Sequence, residues 1–482
     1  MANGRGRGGA GLKGAMRLDW ERLLSTERRV PCEKIKGDRR SEFQRDYDRA
    51  LFSTPVRRLQ DKAQVFPLEA HDAIRTRLTH SLEASSIART LGRNCAPFII
   101  EIASLRDDAA TDIEMVCQTC GLLHDVGNPP FGHAGEKAIA EWFGSKLKSD
   151  KAIERQIRAH PSDGHGRQRL LDFRKFDGNP QTFRILTRLQ LVDNYAGLNL
   201  TFGTLATLLK YAAPSDRTNS RIACLKKHGH FCSENEIVEH VRKVTGLGEL
   251  RHPLTYLVEA ADDIAYSVVD IEDALKKRVI SWALLRTEEF APLHRYVKRA
   301  MKAVGTSEAM PRLEKPDIEQ AWAIKLRGIL ITEMVDSIVR AFVEQYPRIM
   351  NGRIDRALER CCDRGDVIEA CKNVTKRYVY FAKDTLKLEI MGKKVVSDLL
   401  DLFWEGVVGY DSSAGSFHFP NKVWEMLSTN YRHIFERELD LRRVRTNGKM
   451  DYYAAFHLVA DYVCGMTDTF ACRLHRELFN AN

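Results

Sequence analysis

Apolar residues along the 482-residue chain recur mostly at intervals of three and four, and stretches of strict alternation are short and rare. That spacing is the period of an amphipathic helix, so the pattern predicts a mainly α-helical protein. No internal repeat is visible. Residues 1 to 50 read as an arm followed by a short helix, "DWERLLS", and Pro55 in "STPVRRLQDKAQVFP" marks a helix start. An ordered core is expected over 51 to 290, with Gly-, Pro- and Asn-rich loops inserted between 150 and 220. From 291 to 482, "LRGILITEMVDSIVRAFVEQY" and "YYAAFHLVADYVCGMTDTFACRLHREL" form a C-terminal helical region, expected to close a site or pack against another subunit.

Three of these helices carry polar groups on faces that periodicity turns inward. In "RTRLTHSLEASSIARTL", Arg77, His80, Ala84, Ile87 and Leu91 share one face. "EMVCQTCGLLHDVG" is apolar almost all round yet ends in His124 and Asp125, just before the breakers Gly127, Pro129 and Pro130. A buried, unpaired carboxylate there is costly, and a cation resolves the cost. In "HPLTYLVEAADDIAYSVVDIEDALKK", Glu259, Asp262, Tyr266, Asp270 and Asp273 fall on one face, with Asp270 and Asp273 expected to be a solvated acidic stripe. The breakers end one helix and start another, which places His133 and Glu136 in a first turn facing His124 and Asp125. An imidazole is a natural proton donor or acceptor near neutral pH, and Glu136 fixes its tautomer. Two weaker metal patterns are set aside: Cys117-x-x-Cys120 has no second pair and reads as core, and His160 and His165 read as a loop.

Bulk properties narrow the picture. Hydrophobic residues are 44% and charged residues 29%, as in folded globular proteins. Lys+Arg number 75 against 65 Asp+Glu, a net charge of +10 that favours anionic partners such as nucleotides or single-stranded nucleic acid. Eleven cysteines without framework spacing indicate reduced thiols in a cytoplasmic chain. No apolar run approaches ~18 residues and the N-terminus lacks an apolar signal core, so neither a membrane span nor export is expected.

The H…HD…D order is the ligand set of HD-domain metal-dependent phosphohydrolases. More closely, "RRLQDKAQVFP", "RTRLTHSLE", "LLHDVGNPPFGHAGE", "LLKY", "EAADDIAY" and "DYVCGMTD", spanning residues 55 to 468, resemble the bacterial deoxyguanosine triphosphate triphosphohydrolases. The resemblance implies an HD helical core that holds a divalent ion, Mn or Mg with Fe, Ni or Zn as alternatives, on His80, His124, Asp125 and Asp262. The family ligand precedes a Tyr by four residues, which selects Asp262 with Tyr266 over Asp263. It further implies water attack at the α-phosphorus of a dNTP, with dGTP foremost, giving deoxynucleoside and tripolyphosphate. His133 then serves as the acid or base beside the leaving 5′-oxygen. Arg77 and Lys210 match positions that contact the triphosphate, Tyr211 and Tyr266 hydrogen-bond phosphate or pack the sugar, and Gln64 matches the residue that touches the 3′-hydroxyl. Asn179 is a further candidate for that pocket. The family commonly assembles as homohexamers. Two other readings stay open: an HD phosphodiesterase or nuclease acting on nucleic acid, and a non-catalytic nucleotide sensor.

Overall fold

The computed structural model describes residues 17–33, 36–65, 68, 74–159, 163–193, 195–305, 314–381, 383–415, 417–441 and 450–479. Among these the chain is helical, and the only β features are isolated bridges such as Ala63 to Thr76. No helix among them is long and apolar enough to cross a membrane.

Helices α1 (Trp20–Leu23) and α2 (Glu42–Leu51) precede the central pair. α2 opens on a capping box, with Ser41 and Gln44 exchanging side-chain and backbone hydrogen bonds. α3 (Arg77–Ala103) is capped by Thr76, and α4 (Ala109–Leu123) runs against it. Small residues set their separation: a Cβ on Gly121 would lie 2.8 Å from the Ser85 Cα. That close approach brings the His80 ring, near the start of α3, to 5.4 Å from the His124 ring, just past the end of α4.

The chain then breaks, as expected, and restarts as α5 (Gly132–Ser149). A short α6 (Gly178–Arg184), the long α7 (Pro253–Lys276) and α8 (Lys315–Met350) follow. Pro253 opens α7, where its missing N–H costs nothing. The chain closes with α9 (Gly365–Val374), α10 (Lys383–Val408), α11 (Tyr452–Cys464) and α12 (Asp468–Phe479).

Two apolar cores result. One joins α1 to α4, α7, α8 and α9; the other joins α5, α10, α11 and α12. Their limits do not follow a division at residues 50 and 290. Leu18, Trp20, Leu23 and Phe43 lie in the first core, so the segment before residue 50 is integral from Leu18 onward. The arm before it lies outside the described residues. Residues 131–176 share the second core with residues 395–474, so the C-terminal helices complete a core that the middle of the chain begins. α3, α4 and α7 belong to the first core and α5 to the second, so His133 stands across a seam from His124.

Candidate active site

Four side chains from three helices converge beside this seam. His80 is fully buried, and one ligand atom each from His80, His124 and Asp125 lie within 4.8 Å of one another. Asp262, in the middle of α7, brings Oδ1 to 3.2 Å from His80 Nε2 and 3.3 Å from His124 Nε2. His124 Nδ1 lies 2.8 Å from the Gly121 carbonyl oxygen, which only accepts, so this nitrogen carries the proton. Nε2 is then the titrating atom; it is buried, lacks a well-directed hydrogen bond, and faces the two carboxylates. A bare imidazole nitrogen beside carboxylates is an N/O donor set suited to a divalent metal.

The electrostatics agree. Burial pulls the His124 imidazole down, but Asp125 and Asp262 more than reverse this and raise its pKa to about 9. Burial pushes both carboxyls up, yet Arg77 and His124 hold Asp125, and His124 with His80 holds Asp262, well below the usual carboxylate range. The site is built to keep two carboxylates charged.

Asp263, the neighbour in sequence, faces elsewhere: its carboxylate is 3.1 Å from Lys372 Nζ on α9, and Lys372 in turn lies 3.5 Å from Glu359. Two residues expected to be solvated are not. Asp270 and Asp273 are buried, Asp273 paired with Arg75 and Asp270 3.4 Å from the Tyr380 hydroxyl. α7 is covered on that face by Arg75 and by residues near α9, so the acidic stripe looks onto protein instead of water.

On the opposite side of the breakers, His133 Nδ1 is 2.7 Å from Glu136 Oε2, and Glu136 Oε1 accepts from the Gly178 backbone N–H at 2.7 Å. The first turn of α5 is thereby tied to the start of α6. The Glu136 hydrogen bond raises the His133 pKa, while the positive charges of Arg77 and Lys227 oppose it. The His133 side chain is itself 90% exposed, open to an incoming molecule.

The sequence profile of the HD domain matches residues 77–182. A curated relative from Listeria monocytogenes, named deoxyguanosinetriphosphate triphosphohydrolase-like protein, is 34% identical over 96% of this chain and 99% of its own length. The chain belongs to the deoxyguanosinetriphosphate triphosphohydrolase (dGTPase) family. A Klebsiella pneumoniae protein named deoxyguanosinetriphosphate triphosphohydrolase is 31% identical over 96% of this chain and 98% of its own. A Synechocystis relative, also named dGTPase-like, is 33% identical over 96% and 99%.

The HD match spans His80, His124, Asp125, His133 and Glu136, whereas Gln64, Lys210, Tyr211, Asp262 and Tyr266 lie outside it in the sequence of this dGTPase-family chain. Arg77 pairs with Asp125. Lys210 Nζ stands 3.8 Å from both Glu259 and Asp262, which outweigh its burial and raise its pKa. Tyr211 is buried, with Lys210 and Lys227 acting on it. Tyr266 lies under Lys372, whose Nζ is 5.5 Å from the ring centre. Gln64 Oε1 is buried without a partner. Asn179 is occupied locally: its Nδ2 donates to Asp177 at 2.6 Å, within the cap of α6.

Cys117 and Cys120 are buried in the first core, His165 immediately precedes a helix at Gly166–Arg174 without a capping hydrogen bond from its side chain, and His160 lies outside the described residues. Two lysines at the site went unread in the sequence. Lys227 pairs with Asp177 and acts on His133, and Lys372 joins Asp263 from a region without a recognisable motif. Lys227 lies outside the regular helices, and Lys372, although on α9, is a single charge on a helix with no motif around it.

Proposed function

We propose that the chain hydrolyses deoxynucleoside triphosphates, dGTP foremost, to deoxynucleoside and tripolyphosphate. The observation that carries this is a pair of devices linked through Arg77, which pairs with Asp125 and acts on His133: the His80, His124, Asp125 and Asp262 cluster, and the His133–Glu136 dyad anchored on Gly178. The names of the dGTPase relatives support the substrate.

His80, His124, Asp125 and Asp262 would hold a divalent ion, Mn or Mg foremost, which when bound polarises the α-phosphate and lowers the pKa of an attacking water. His133, protonated and oriented by Glu136, gives its proton to the 5′-oxygen as the bond from that oxygen to the α-phosphorus breaks. Arg77 and Lys210 offset the triphosphate charge, Arg through its forked donors. Tyr266 and Tyr211 pack the sugar or hydrogen-bond phosphate. The orphan Gln64 Oε1 accepts from the 3′-hydroxyl, which satisfies a buried acceptor that otherwise has no partner. Asn179 gives one N–H to Asp177 in the α6 cap, and its Oδ1 and second N–H are the groups offered to the sugar pocket.

Incubation with each dNTP and rNTP plus Mn or Mg, with products resolved by phosphorus NMR, tests the reading. Tripolyphosphate with deoxynucleoside supports it. Pyrophosphate or orthophosphate as the first product overturns it.

A further inference from the structure

Between Asp125 and His133 the backbone passes through a turn that local preference opposes. Phe131 adopts a left-handed conformation (φ 62°, ψ 19°), which a side chain with a Cβ disfavours, and Gly132 follows at φ 54°. Something must hold it. Asp468, the first residue of α12, is buried and accepts from the Phe131 N–H with one carboxylate oxygen and from the Ala63 N–H with the other, both at 2.9 Å.

The neighbouring cation completes the arrangement. Lys62 is buried, and its Nζ donates to the Asn128 carbonyl at 2.6 Å and to the Cys464 carbonyl, at the end of α11, at 2.7 Å. An ammonium is expensive to remove from water, and a final-turn helix carbonyl lacks an intrahelical partner, so each resolves the other's deficit. Burial lowers the Lys62 pKa and the Asp468 charge opposes this, while burial raises that of Asp468. The two ends of the turn are thus gripped by opposite charges, one at Asn128 and one at Phe131, and both are anchored on the α11–α12 corner, "CGMTD".

We propose that Lys62 and Asp468 are positioning residues for His133, clamping the 128–132 turn so that the imidazole is presented at a fixed place relative to the His124 and Asp125 cluster. The inference rests on the reading of His133 as the proton donor. It assigns a role to the "DYVCGMTD" stretch, whose Cys464 and Asp468 bond Lys62, Ala63 and Phe131.

The test compares Asp468→Asn and Lys62→Met with wild type for kcat, KM for dGTP, metal content and the His133 imidazole titration by NMR. Asn keeps the shape of Asp468 but turns an N–H₂ toward one of its two N–H donors. Both variants should keep full metal and a KM within about 3-fold, while kcat falls about 10- to 100-fold, the cost of a misplaced reacting group. The His133 titration should move down toward the ordinary value as its pairing with Glu136 loosens. A wild-type kcat with an unmoved titration overturns the proposal. So does joint loss of metal and kcat, which would make the pair a scaffold of the cluster. Should Lys62→Met fail to fold, Asp468→Asn decides alone. If wild type releases no tripolyphosphate, the proton-donor reading falls, and the His133 titration still reports whether the clamp exists.

Discussion

Asp262 Oδ1 lies 3.2 Å from Nε2 of His80, a residue 182 positions earlier in the chain. The same oxygen is 3.3 Å from His124 Nε2, so one carboxylate atom of α7 closes a cluster begun by α3 and the end of α4. Asp263, one step on and about 100° around the helix, has Lys372 as its partner instead.

That divergence separates two variants. Asp262→Asn should lose the bound metal and reduce activity by about 10³-fold or more, since a catalytic ion is worth several kcal/mol in the transition state. Asp263→Asn should retain the metal. Elemental analysis of the purified variants measures this, and equal metal loss in both would refute the assignment of Asp262.

His133 bonds Glu136 and lies outside the group of His80, His124 and Asp125 whose ligand atoms come together. His133→Ala should therefore keep its metal and its dNTP affinity while kcat falls by roughly 10² to 10⁴-fold, the usual worth of a positioned acid or base. Single-turnover rates alongside equilibrium binding separate the two effects; a near-normal rate would remove His133 from the chemistry.

The pH profile carries an independent mark of the dyad. The Glu136 hydrogen bond raises the His133 pKa above its ordinary ~6.5. The proton is held below the raised value and lost as pH rises through it, so kcat should decline on the alkaline side with a midpoint above ~6.5. The pairing's contribution to stability has the same sign, present below ~6.5 and lost as pH rises past the raised value. Glu136→Gln removes the cause and should shift the kcat limb to lower pH. An unmoved limb would assign it to another group.

Arg184 joins α6 to the C-terminal helices. Its guanidinium, buried, forks onto Asp461 at 2.8 to 3.0 Å and also reaches Glu234 and Glu438 at 3.1 Å. Arg184→Met would leave these carboxylates short of a buried cation, at a cost of about 3–5 kcal/mol. A urea titration should show the midpoint fall by that equivalent, with Arg184→Lys recovering only part, since a point charge cannot reproduce the fork. A midpoint within error of wild type would mean the network contributes no stability.

Trp20 tests whether the early segment is an arm. It is 2% exposed and donates Nε1–H to the Tyr346 hydroxyl at 2.8 Å. Trp20→Ala should cost about 3–5 kcal/mol, the range for emptying a large aromatic core site, and the same denaturation measurement reads it. A loss below about 0.5 kcal/mol, the range of an ordinary surface change, would return the segment to the status of an arm.

By itself the sequence determined the helical architecture, the break between α4 and α5, and the position of His133 and Glu136 in a first turn. Each depends on period, breakers and spacing within about twenty residues, which local chemistry dictates. Resemblance of short motifs pointed to His80, His124 and Asp125, and to Asp262 ahead of Asp263. Tertiary structure alone decided what depends on packing between distant segments. It put Leu18, Trp20 and Phe43 into the core, buried Asp270 and Asp273 against Arg75 and Tyr380, and directed one Asn179 N–H to Asp177. It also brought Lys227 and Lys372 to the site, and Lys62 and Asp468 to the turn that bears His133. Lone charges of this kind have no period. Their partners lie up to 405 residues away, in Asp468 with Ala63, and only the folded chain brings the two together.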